Sequence, residues 1–331
     1  MLIEVDMEVQ VNNNRREKGF LSEDDKKYIL SISDRHTALE ISKMYNCSRS
    51  TILKLWMDEK YNKNGLSYKY YVDHNYFEEI NTPNKAYMIG FIASDGNIYK
   101  RKNGNYQYQL QISLQQRDYK FLQDILKDMK STNPVKFLTT NGHDYAVITI
   151  VSNKICEDLI NLGLMENKTW NLNIETILNN IPVCFHRDFF RGYFDGDGFF
   201  AISKKELPSY MYIGYVMPLK NAELIYEYFK NIGIECSVKE DKRKYSHPFG
   251  RVDFFGYNKY IFLKYIYDID DKDLRLERKY ERGLKYFQLI ENNISNRSEN
   301  DLAIYKYEEF MINYMYDIYS IRNGGFGSTS K

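Results

Sequence analysis

Two aspartates stand at matching places in this chain. Asp95 closes the segment AYMIGFIASDG (Ala86 to Gly96), and Asp197 closes FFRGYFDGDG (Phe189 to Gly198), 102 residues further on. The likeness continues downstream in the same order. Phe121, Leu122, Ile125 and Leu126 match Leu224, Ile225, Tyr228 and Phe229 at an offset of 103, and Asn153-Lys154 matches Asn258-Lys259 at 105. Offsets that creep upward belong to two related units with small loop insertions. A lone Asp-Gly ordinarily ends a helix in a turn, but two inside one repeated pattern are a pair of carboxylates placed by a duplicated fold. Such a pair needs neutralising, and a hard divalent cation does this. Mg²⁺ held by a few carboxylates and by phosphate oxygens is the usual arrangement for phosphodiester chemistry.

The elements that position the acids follow from periodicity. Residues 84–94 are an apolar run too long for a strand, after a Thr82-Pro83 helix start. Gly90 and Ser94 in the first copy, and Gly192 and Gly196 in the second, lie four residues apart and share a helical face, where small side chains let two backbones approach. Two such helices paired about a pseudo-two-fold axis bring their C-terminal ends together, with Gly96 and Gly198 suited to a left-handed cap. YQYQLQIS (Tyr106 to Ser113) alternates with period two, placing Tyr106, Tyr108, Leu110 and Ile112 on one face and Gln107, Gln109, Gln111 and Ser113 on the other. A helix over 117–129, strands over 134–139 and 144–151 joined at Asn141-Gly142, and a helix over 153–162 complete an αββαββα unit. The second copy predicts a helix over 187–196, strands over 198–204 and 209–217, a helix over 220–231, strands over 234–241 and 249–256, and a helix over 258–267.

The segments MIGFIASDG (Met88 to Gly96) and FRGYFDGDG (Phe190 to Gly198) resemble the two motifs of a single-chain LAGLIDADG homing endonuclease, a likeness covering about residues 82–288. It implies an α+β fold of two pseudo-symmetric αββαββα subdomains forming a saddle, with the motif helices at their interface. It also implies a metal site at Asp95 and Asp197, with Gly96 and Gly198 beside them, loaded with Mg²⁺ or with Mn²⁺ in its place. The first copy has Ala93 where the motif's earlier acid stands, and the second keeps Asp195. A basic residue late in each subdomain corresponds to Lys168 and Lys279, 73 and 82 residues after the acids, with Lys154 and Lys259 as substitutes. Such a lysine could polarise the attacking water or stabilise the pentacovalent phosphate. In the family the open sheet faces lie in the major groove. Gln107, Gln109 and Gln111 are then base readers, since Gln can bond N6 and N7 of adenine. Lys100, Lys102, Lys204, Lys239 and Arg251 then serve phosphates or guanines.

Before the repeat, Thr37 to Met57 reads TALEISKMYNCSRSTILKLWM, with Ala38, Ile41 and Met44 on one helix and Ile52, Leu55 and Trp56 on the next. It resembles a helix-turn-helix whose recognition helix, Ser48 to Met57, exposes Arg49, Ser50, Thr51 and Lys54. Six basic residues against two acids between Lys43 and Lys69 fall on this element, within a chain whose 46 basic and 45 acidic residues otherwise balance at +1. The division expected is 1–19 loosely ordered, 20–60 a small all-α helix-turn-helix module, 61–81 a linker, 82–168 the first subdomain, 169–182 a linker, 183–288 the second, and 289–331 a C-terminal helix and tail. No apolar run reaches membrane-span length and no signal peptide is evident, which predicts a cytoplasmic protein in a bacterial, phage or organellar DNA compartment. Four scattered cysteines predict neither zinc nor disulfides. The function expected is Mg²⁺-dependent, site-specific double-strand DNA cleavage by a monomer on a long pseudo-palindromic target, leaving 5′-phosphates and short 3′ overhangs. The alternatives are a non-cleaving DNA-binding transcription regulator and a maturase that binds intron RNA.

Overall fold

The computed structural model describes residues 21–32, 36–58, 70–100, 107–165, 172–202, 211–241, 248–292 and 302–311. The chain divides into two compact units, Met1–Tyr71 and Val72–Lys331. In the smaller unit α1 (Glu23–Ser31), α2 (Ala38–Met44) and α3 (Arg49–Asp58) surround Leu21, Ile29, Ala38, Ile41, Ile52, Leu53 and Leu55. Two capping boxes start α1 and α2: Ser22 with Asp25, and Thr37 with Glu40. Asn46 turns the chain between α2 and α3 with φ +46°. Met44, expected inside, is 46% exposed, and Leu53 is buried in its stead.

In the larger unit the sevenfold element pattern appears twice. The first copy is α4 (Pro83–Asp95), β1 (Gly96–Lys100), β2 (Tyr108–Gln115), α5 (Tyr119–Asp128), β3 (Lys136–Thr140), β4 (His143–Val151) and α6 (Asn153–Asn161). After α7 (Ile174–Asn179), the second is α8 (His186–Asp197), β5 (Gly198–Ile202), β6 (Met211–Pro218), α9 (Leu219–Asn231), β7 (Cys236–Glu240), β8 (Phe249–Phe254) and α10 (Asn258–Tyr267). Each copy folds into an antiparallel four-stranded sheet with the same order, β1-β2-β4-β3 and β5-β6-β8-β7. The inward residues Leu110, Ile112, Ile148 and Ile150, and Ile213, Tyr215, Val252 and Phe254, are buried against helices. Asn141 (φ +51°) and Gly142 (φ +77°) form the β3–β4 hairpin turn.

Three expectations are corrected. Residues 72–80 are no linker, because Val72, Tyr76, Phe77 and Ile80 are buried in the main core. The segment expected as the second linker contains α7, capped by Asn173 with Ile174 and Ile177 buried. A further helix, α11 (Glu277–Asn292), follows the second repeat and runs past its expected end at 288. Residues 302–311 are helical and dock Ala303 and Phe310 into the same core, with the Phe310 ring edge-on to Tyr265. Among the described residues no helix is long and apolar enough to cross a membrane.

Candidate metal centre and nucleic-acid interface

Helices α4 and α8 pack backbone to backbone. A Cβ built on Gly90 would stand 2.0 Å from the carbonyl oxygen of Phe189, and one on Gly192 would stand 2.0 Å from that of Tyr87. Gly90 matches Gly192 and Tyr87 matches Phe189 in the repeat, so the approach is reciprocal, as a two-fold relation demands. One turn further on, a Cβ on Gly196 would meet Ser94 Oγ at 1.8 Å and Asp95 Oδ2 at 3.3 Å. The two helix ends therefore lie together, with Asp95 against the residue that precedes Asp197. Gly96 and Gly198 do not adopt the left-handed cap. Their φ/ψ values of −79°/156° and −66°/143° lead straight into β1 and β5. Glycine is needed there for space, since a Cβ would stand 2.7 Å from Ile92 Cγ2 or 2.2 Å from Phe194 Cδ2.

Lys279, on α11, is 5% exposed. Its Nζ donates to the carbonyls of Phe194 (2.5 Å), Gly196 (3.0 Å) and Gly198 (2.6 Å). The first two are carbonyls in the last turn of α8; that of Phe194 also accepts the Gly198 backbone N–H. Burial pushes the ammonium pKa down to about 8; Asp195 opposes this, Arg278 adds to it, and Asp95 and Asp197 oppose it. Lys279 thus carries its charge among three aspartates while its protons are engaged by backbone oxygens, the Gly198 carbonyl among them. Lys168 lies outside the described residues. Lys154 is held at 2.5 Å by Asp158 on α6. Lys259 donates to Met211 O at 3.2 Å, and burial lowers its pKa. Met211 pairs with Ile202, four residues along β5 from Gly198, and a strand of that length puts it about 13 Å away. The substitute lysine of the second copy therefore belongs to the far end of the strand.

Asp195, fully buried, accepts from Tyr87 Oη (2.7 Å), Tyr267 Oη (2.6 Å) and the Leu276 backbone N–H (2.8 Å). Burial raises its pKa, and the Tyr267, Leu276, Lys279 and Tyr87 interactions lower it. The first copy has Ala93 at the matching position, and the second copy has Phe189 where the first has Tyr87. Acid and hydroxyl are absent together, so Ala93 leaves no polar partner unsatisfied. Sequence reasoning had no signal for Tyr267 or Leu276, which reach Asp195 from 72 and 81 residues away. The same holds for two ties between the copies, Leu274 N–H to Asn84 Oδ1 (2.8 Å) and Arg278 Nε to Asp118 Oδ2 (3.0 Å).

Among the described residues no group of three or more His, Cys, Asp or Glu side chains forms a metal cluster. Two carboxylates without thiolate or imidazole do not make a zinc centre. They do fit a hard cation such as Mg²⁺ or Mn²⁺, which draws its remaining ligands from phosphate and water.

On the outward face of the first sheet, Gln109 is 4% exposed and accepts from Tyr99 Oη at 2.8 Å, so it braces its neighbour instead of projecting. Gln111 is half-buried between Asn97 and Thr149, and Gln107 is half-buried just before β2. Lys100 is exposed but has the inward parity of Ile98, its Nζ 5.1 Å from the Tyr108 ring centroid. Lys102 and Lys204 lie outside the described residues. On the second sheet Lys239 and Arg251 are register partners on the outward face, and Arg251 is paired with Asp253. In the smaller unit Arg49, Ser50 and Lys54 are exposed and Thr51 is half-buried. Ser48 Oγ accepts from Thr51 N–H at 3.0 Å and lies 2.6 Å from Ser50 Oγ.

No protein-family model matches the chain, and no curated protein matches it. Among solved structures, the chain is similar to a mesophilic variant of the homing endonuclease I-DmoI (14% identity, 60% of this chain and 98% of that one, TM-score 0.41). It is also similar to I-DmoI in complex with DNA and Ca (14% identity, 63% and 98%, TM-score 0.40). A third is the meganuclease I-SmaMI bound to uncleavable DNA (12% identity, 70% and 96%, TM-score 0.41).

Proposed function

We propose that this chain is a monomeric, Mg²⁺-dependent, site-specific double-strand DNA endonuclease of the LAGLIDADG homing type. Its products would carry 5′-phosphates and short 3′ overhangs. The observation that supports the reading is the reciprocal approach of α4 and α8 at Gly90 and Gly192, with Asp95 lodged against Gly196 beside Asp197. When bound, the divalent cation supplies charge neutralisation to a phosphate and acidifies a coordinated water. Asp95 and Asp197 would hold it, each serving the scissile phosphate of one strand. Lys279 orients: it ties down the carbonyls at the α8 end and so fixes the backbone that carries Asp197. The outward sheet faces would lie along the major groove of a long pseudo-palindromic duplex, and α3 would add contacts beyond that footprint.

The test starts from duplexes selected for binding out of a randomised library. Native protein should cut them with Mg²⁺ and not with EDTA. Asp95→Asn and Asp197→Asn should each abolish double-strand cleavage while retaining native-like DNA affinity. Loss of binding in both variants would assign the acids a structural role and overturn the reading.

A further inference from the structure

We propose that Arg251 reads a guanine in the half of the DNA target that lies against the second sheet, and that Asp253 and Phe199 hold it in position to do so. The proposal rests on the endonuclease reading for the presence of DNA and deepens it by naming a base preference and its location. Phe199, Gly214 and Asp253 share one row of the sheet, and Arg251 stands two residues along β8 from Asp253, on the same outward face. Gly214 matters because it has no side chain: a Cβ there would stand 3.0 Å from Phe199 Cζ. The Phe199 ring therefore lies across β6 and reaches the guanidinium, whose Cζ is 4.4 Å from the ring centroid. Such stacking holds the guanidinium plane.

Asp253 takes the side edge of that plane. Arg251 Nε donates to Oδ1 at 2.8 Å and Oδ2 at 2.9 Å, and Nη2 lies 2.8 Å from Oδ1. The end edge, formed by the Nη1 donors and the second Nη2 hydrogen, remains for another acceptor, and the side chain is 40% exposed. Two parallel donors at that spacing match O6 and N7 of guanine. A phosphate contact has different requirements. It works through net charge, which a mobile lysine supplies, whereas the adjacent carboxylate cancels most of the charge of Arg251. A neutralised, stacked and edge-gripped guanidinium is equipped to recognise a hydrogen-bond pattern. The described strands β1 to β4 of the first sheet contain no arginine, and their outward face includes Asn97, Tyr99, Gln111, Ser113, Gln115 and Lys136.

The experiment compares base preferences, position by position, for the full-length protein on a randomised duplex library, with Ca²⁺ replacing Mg²⁺ to suppress cleavage. Native protein should require one G·C pair in one half-site. Arg251→Gln should lose about 10- to 100-fold of the discrimination at that pair alone, the cost of one bidentate contact. Base preferences at other positions should be unchanged. Arg251→Lys, which keeps the charge but not the planar fork, should keep only part of the preference, and Asp253→Asn and Phe199→Leu should weaken it at the same pair. Weakening that is equal for all sequences, with the guanine preference retained in Arg251→Gln, would make Arg251 a phosphate contact and overturn the proposal. Failure of the native chain to bind any duplex would overturn the endonuclease reading as well, whereas sequence-specific binding without these effects would sink only this proposal.

Discussion

Buried charge at the joined helix ends is balanced residue by residue. Asp195 has three donors, and its absence from the first copy is matched by the absence of a tyrosine hydroxyl. Lys279 completes the balance by supplying donors to α8 and positive charge to the aspartates. Replacing it removes three donors from carbonyls at the junction of α8 and β5, so Lys279→Met should destabilise the fold by about 3 kcal/mol at pH 7 in urea unfolding. The pH dependence has a definite sign. The folded-state pKa is lowered to about 8 from 10.5, so between those values the unfolded chain binds more protons. The contribution of Lys279 to stability therefore rises with pH across that window. The gap between native and variant should be wider at pH 10 than at pH 7. A gap that narrows or stays constant would mean that the ammonium is not desolvated as described.

At the level of elements, the α4–α8 crossing is the most constrained feature of the larger unit. The atoms facing Gly90 and Gly192 are backbone carbonyls of the opposite helix, which can yield only if the helices separate. Gly90→Ala and Gly192→Ala should each cost about 3 kcal/mol or more, at the upper end of overpacking. Gly142→Ala is the control: it has φ +77° but open space, and should cost about 1 kcal/mol from backbone strain alone. Denaturant midpoints for the three variants decide the matter, and equal losses would contradict the close approach. Separation of the helices would also move Asp95 from Gly196, so metal-dependent cleavage should fall along with stability.

For the whole molecule, the two units have separate hydrophobic cores with no residue in common. Removal of residues 1–71 should leave a folded protein that still cuts DNA in a metal-dependent way. Its affinity should be lower and the salt dependence of binding shallower, because Arg49 and Lys54 leave with the smaller unit. Titration of selected duplexes at several salt concentrations measures both effects, and complete inactivation would contradict a modular role. The repeat explains why one chain could serve two strands. Each copy brings one acid and one sheet, and the outward faces differ in chemistry: amides and hydroxyls with Lys136 on the first, Lys239 and the Arg251–Asp253 pair on the second.

Local periodicity determined a good deal of this protein from its sequence. The Thr82-Pro83 start and the Asn141-Gly142 turn act through near neighbours and could be read from one short window, and the repeated motif with its small-residue face at Gly90 and Gly192 from two windows 102 residues apart. What the sequence left open depends on partners distant along the chain. Gln109 has the same outward parity as Gln111, and only the cross-strand Tyr99 hydroxyl takes it out of reach of a base. Lys279 carries no mark in LRLERKYE of the three carbonyls it meets where α8 runs into β5, about 80 residues earlier. Gly96 and Gly198 look like helix-ending glycines suited to a left-handed cap, yet both are extended and pair across the sheet with Ile112 and Tyr215, 16 and 17 residues on. Which polar groups are spent inside the fold and which remain to meet a ligand is settled by burial and pairing, and these exist only once the chain has closed on itself.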